Sequence, residues 1–163
     1  MDFYKNSLAE PEKQNANCKT AINYLRQGRS AEAFLLLAEP GNEKDPAARF
    51  ALALCHLNAG ELPAAISCFE QALGILQAMP PKLPERPKTS ETYFKLAVKQ
   101  IAEKAYLAPL DVDFCELFPK AAEQTVLLAL IDCFKQNGMI EKAKRLSSAL
   151  TGQVFEEFKR SIL

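Results

Sequence analysis

Apolar residues along this chain recur at intervals of three and four, the spacing that gathers them on one side of an α-helix. Leu52, Ala53, His56, Ala65, Phe69 and Ala72 share one such face across two helical segments. No stretch shows the alternation of β-branched and polar residues that marks a strand, so the pattern predicts an all-α chain. Three short segments repeat within it: Gly28 to Ala33, Gly60 to Ala65 and Gly138 to Ala143, each a Gly followed five residues later by Ala. A helix that ends at such a Gly needs a left-handed residue there, which Gly adopts at little cost. The Ala then opens a second helix that must lie close to the first. The flanks agree. Ala21, Ala53 and Ile131 stand seven before each Gly, Tyr24, His56 and Phe134 four before, and Leu37, Phe69 and Ser147 four after each Ala.

These positions resemble the tetratricopeptide repeat, a 34-residue helix–turn–helix unit with an aromatic-x₂-Leu-small-x₂-aromatic run followed by Ala-x₃-Phe. Residues 46–79 match best, with Leu52, Ala53, Gly60, Ala65, Phe69 and Ala72 in register. Arg49 stands where the first aromatic belongs, and His56 replaces the usual Tyr. The resemblance covers residues 14–150. It implies a right-handed superhelix of helical hairpins, about 14–39 and 46–79, an irregular unit at 90–118, and 119–150, in one domain spanning 1–163. A C-terminal capping helix over 152–163 follows, with Val154, Phe155, Phe158 and Ile162 as its apolar stripe.

Spacing places the irregular unit. Gly28 and Gly60 stand 32 residues apart, but Gly60 and Gly138 stand 78 apart, which exceeds two 34-residue repeats by about 10. The excess matches Pro80 to Lys88, where four prolines in nine residues exclude a helix. Beyond that loop, Tyr93, Leu96 and Ala97 fall on repeat positions. No turn Gly follows, and Pro109 sits where the packing Ala belongs. A long helix over 90–107 and a short one over 112–118 are therefore expected, with Pro119 opening the next helix.

Lys+Arg and Asp+Glu both number 20, so the chain has no field with which to gather nucleic acid or anionic lipid. The N-terminus has no signal-peptide pattern, and no apolar run exceeds the six residues of Val126 to Ile131, far short of a membrane span. A cytoplasmic protein is expected. Cys18, Cys55, Cys68, Cys115 and Cys133 are odd in number and unpaired in spacing, which predicts reduced, buried thiols. No phosphate loop, zinc motif or nucleophile elbow occurs, so no enzyme, cofactor or metal is expected. His56, the sole histidine, adjoins Cys55, but neighbouring helical side chains diverge by about 100°. Cys68, across the hairpin, is the better-placed thiol. Filling the aromatic slot of the repeat is the simpler role for His56. Asp111 and Asp113, like Glu156 and Glu157, read as surface or helix-cap acids. Pro81 to Arg86 fits a P-x-x-P-x-R ligand, though a stiff connector explains it as well.

Repeats of this type line a concave face with their first helices, and the resemblance implies which positions do so. Apolar among them are Ile22, Leu25, Phe50, Leu54, Leu57, Phe94, Val98 and Ile101. The Lys, Asn and Arg with which one subfamily grips chaperone tails are missing. Eight bare apolar side chains exceed what a soluble monomer exposes, so something must cover them. The candidates are an apolar or amphipathic partner segment, a second copy of the chain in a homodimer, or the chain's own ends, with Phe3, Tyr4 and Leu8; the alternative is that these side chains are simply inter-helix core. The expected function is a non-enzymatic scaffold for protein–protein interaction. A small cytosolic secretion chaperone of the same repeat type is the alternative, and a cysteine–histidine enzyme the distant one.

Overall fold

The structure, a computed structural model, describes residues 10–80, 103–152 and 155–160. Its regular elements are all helical, and no strand occurs among the described residues. In chain order they are α1 (Glu10–Arg26), α2 (Ser30–Leu37), α3 (Pro46–Asn58), α4 (Leu62–Ala78), α5 (Val112–Leu117), α6 (Pro119–Gln136), α7 (Ile140–Ser147) and α8 (Glu156–Arg160). Single 3₁₀ turns lie at Asn42–Lys44 and Ala105–Leu107.

The repeated Gly closes the same turn three times. Gly28, Gly60 and Gly138 have φ of 75°, 78° and 72°. Each Gly N–H donates to the carbonyl three residues back, at 3.0, 3.0 and 3.1 Å. The next N–H, of Arg29, Glu61 or Met139, donates to Tyr24, His56 or Phe134 at 2.8 Å in all three. This pair of bonds is the Schellman cap, which satisfies carbonyls left over at a helix end. Residues 29, 61 and 139 also share one backbone conformation, with φ from −93° to −86° and ψ from 56° to 65°. The turns join α1 to α2, α3 to α4 and α6 to α7, and each pair packs as a hairpin.

Packing follows the predicted register. Ala33, Ala65 and Ala143 are fully buried, as are Ala21, Ala53 and Ile131. Leu37, Phe69 and Ser147 are buried as well. Between hairpins, α3 packs on α2 and α1, and α4 packs on α6. The buried Glu123 on α6 anchors that second contact, accepting from Gln77 Nε2 at 3.3 Å and Lys120 Nζ at 2.9 Å. Asp45 caps α3 by accepting from the N–H groups of Ala47 and Ala48 at 2.8 and 3.3 Å, with Pro46 as the first helical residue. Buried Asn42 donates its side-chain amide to the carbonyls of Leu36, Leu37 and Glu39, closing the end of α2.

The chain between the second and last hairpins departs from expectation. Pro80 opens the predicted loop, but residues 81–102, with most of that loop, Tyr93, Leu96 and Ala97, lie outside the described residues, so the helix expected over 90–102 does too. Its expected continuation to 107 is absent. Lys104 takes a left-handed conformation, φ 52°, and a 3₁₀ turn follows. That reversal brings Lys104 and Tyr106 onto Asp132 of α6. The second predicted helix is present as α5, and Pro119 opens α6 as expected. Because α4 meets α6 directly, residues 103–118 do not separate their hairpins. They pack instead on α1, α3 and α6. Of the C-terminal stripe, Phe155 is buried, while Val154, Ile162 and the Phe158 side chain lie outside the described residues.

Candidate interaction face

The first helices of the hairpins carry the residues expected to line a groove. Phe50 on α3 is fully buried and packs on Phe69 of α4, with ring centroids 5.0 Å apart. Ile22 and Leu54 are 2% and 4% exposed, and Leu25 and Leu57 are partly buried against the same core. Ile22, Phe50 and Leu54 are thus enclosed by the chain itself rather than bare, and Leu25 and Leu57 are covered in part. Phe94, Val98 and Ile101 lie outside the described residues.

Among the described residues, an internal segment supplies part of the cover. α5 lies against α1, α3 and α6, and the turn before it lies against α6. Tyr106, Leu110, Val112 and Cys115 are its buried side chains. Asp111 and Asp113 flank Val112 and reach cations on α1. Arg26 Nη2 donates to both oxygens of Asp111 at 2.9 Å, and Lys19 Nζ lies 3.4 Å from Asp113. At the other end, Asp132 accepts from Lys104 Nζ at 3.1 Å and from the Tyr106 hydroxyl at 3.3 Å. Burial and the Asp132 carboxylate together push the Tyr106 hydroxyl pKa up.

Magnitudes separate what holds this segment from what aligns it. Burying a Val or Leu side chain contributes about 1.5–3 kcal/mol. An exposed ion pair contributes about 0–1 kcal/mol, and the Lys19, Arg26, Asp111 and Asp113 side chains are 45–71% exposed. The apolar side chains therefore supply the strength, and the ion pairs set the register. A cleft of about 220 Å³ remains between α1 and α5, lined by Lys19, Ile22, Asn23, Asp111, Val112 and Asp113. It is smaller than the ~300–1,000 Å³ of a typical small-molecule site.

The thiols are held in their neutral form. Burial pushes Cys55 and Cys133 up to about 11 and Cys115 up to about 12. Cys18 is raised by burial and then by Asp45, which accepts its hydrogen bond, and Cys68 by burial alone. A thiolate is the nucleophilic form, so none of these positions supplies one near neutral pH. His56 Nδ1 lies 2.6 Å from Glu61 Oε2, and its ring meets Phe34 edge-on at 5.6 Å. It fills the aromatic position of its turn, where Tyr24 and Phe134 stand in the other hairpins. Arg29 lies over the Tyr24 ring at 4.2 Å, while Glu61, at the same turn position in its hairpin, hydrogen-bonds the His56 ring nitrogen. No group of three or more His, Cys, Asp or Glu that fits a metal ion occurs among the described residues. No helix there is long and apolar enough to cross a membrane.

The sequence marks Asp111 and Asp113 as surface or helix-cap acids but does not show that they meet Arg26 and Lys19. The pairs are 85 and 94 residues apart, so no local signal connects them. Asp45 followed by Pro46 carries a cap signature that was there to be read. Scans against protein-family models and searches of curated proteins and of solved structures return no match to this chain.

Proposed function

We propose that this chain is a non-enzymatic interaction scaffold built from tetratricopeptide-like hairpins, which holds an apolar or amphipathic protein segment against its first helices. The observation that carries this reading is the seating of α5. A short helix from outside the hairpins lies on α1, α3 and α6, with Val112 and Cys115 buried and acids paired at its edge. A face that accepts one such helix has the shape and chemistry to accept another. The superhelical curvature of the family belongs to this proposal, and so does a cytoplasmic setting. Neutral thiols and the engagement of His56 by Glu61 favour binding over covalent catalysis.

Photo-crosslinking tests the reading. A photoreactive residue replaces Asn23, at the edge of the α5 cleft, or Glu70, on the exposed side of α4. Partner adducts are expected from position 23 and not from position 70. Adducts confined to position 70 would move the function to another surface.

A further inference from the structure

Resting on that reading, we infer that residues 104–118 are an internal stand-in for the partner, whose docking segment is therefore acidic and amphipathic, with carboxylates flanking a buried apolar residue as Asp111 and Asp113 flank Val112. On α1, Lys19, Ile22, Asn23 and Arg26 stand at i, i+3, i+4 and i+7, which places them on one stripe of the helix. The stripe reads cation, apolar, polar, cation. Its occupant reads acid, apolar, acid. Arg26 holds Asp111 through a single nitrogen and Lys19 holds Asp113 at 3.4 Å, long for a hydrogen bond, with both pairs in solvent. A segment with like-charged edges would meet repulsion at both cations, so the stripe selects by charge as well as by fit.

The occupant has the features of a replaceable one. Its helix is six residues long, and Asp111 at its N-cap makes no side-chain capping bond. Leu117 and Phe118 at its far end are 42% and 47% exposed. A competing segment must displace it, so the affinity for that segment is lowered by the fraction of chains in which the seat is filled.

The test uses the full chain and a fluorescent peptide of residues 104–118, read by anisotropy under reducing conditions. With Asp111→Lys and Asp113→Lys in the chain, the wild-type peptide is expected to bind about tenfold more tightly than to the wild-type chain. Adding Lys19→Glu and Arg26→Glu to that chain is expected to remove the gain. If the double Lys variant loses its helical circular dichroism, Asp111→Asn with Asp113→Asn repeats the comparison, with a gain of about threefold expected. No gain in a variant of wild-type helicity overturns the inference. So does a partner crosslinked at position 23 through a segment without flanking acids, a result that leaves the scaffold reading standing. Adducts confined to position 70 would remove the scaffold reading itself.

Discussion

At Gly60 an added Cβ would meet nothing within 4 Å, yet φ is +78°. The requirement for Gly is therefore conformational and owes nothing to crowding. Gly60→Ala is expected to destabilise the chain by about 1 kcal/mol, and Gly60→Val by more, because a β-branched side chain tolerates positive φ least. Urea unfolding measures both, and wild-type stability in the Val variant would contradict the assigned turn. Asp45 has a different constraint. Burial raises its carboxyl pKa against the opposing pull of the Ala47 and Ala48 N–H groups and the Cys18 thiol, and Glu116 adds to the rise. The folded state thus prefers the protonated form. Its contribution is complete below the ordinary carboxylate range and is lost as pH rises through the elevated value. Asp45→Asn keeps a good cap without the charge, so its stability relative to wild type is expected to improve from acid towards neutral pH. Asp45→Ala removes the cap and should cost about 1 kcal/mol near neutral pH. Denaturation curves across pH separate the two effects.

At the scale of elements, the three hairpin turns were legible because their signals are local. A Gly, an aromatic four before it and an Ala five after it suffice to fix the cap, the register and the close packing of two helices. The α4–α6 contact was not legible, since the residues that make it are separated by a segment with its own path. Glu123 is the polar link in that contact. Glu123→Ala removes that bond from Gln77, an exposed side chain that water can then serve, and is expected to cost about 0.5–1.5 kcal/mol, measured by thermal or urea unfolding. Within α5, Val112→Ala should cost about 1–2 kcal/mol and Asp113→Asn less than about 1 kcal/mol. The reverse order would mean that charge, not apolar burial, holds the segment.

For the whole molecule, an all-helical chain followed from periodicity, and the expectation of an apolar first-helix face came from the resemblance to the repeat. What covers that face did not. Ile22, Phe50 and Leu54 need burial whatever supplies it, and periodicity cannot tell a partner from a distant part of the same chain. The Lys104 reversal and the Asp111 and Asp113 pairs that bring α5 over the face are long-range outcomes. The central claim is that α5 is a replaceable occupant of a face built by the hairpins. Hydrogen–deuterium exchange on the full chain, at about 50 and 500 mM salt, tests it most directly. The account predicts that amides from Cys115 to Phe118 exchange faster than those in the middle of α3 and α6. It also predicts that salt speeds their exchange about three- to tenfold while α3, α4 and α6 hold steady, because screening weakens the ion pairs that align the segment. Exchange of α5 at the same rate as α6, unchanged by salt, would contradict it and make the segment a permanent part of the core.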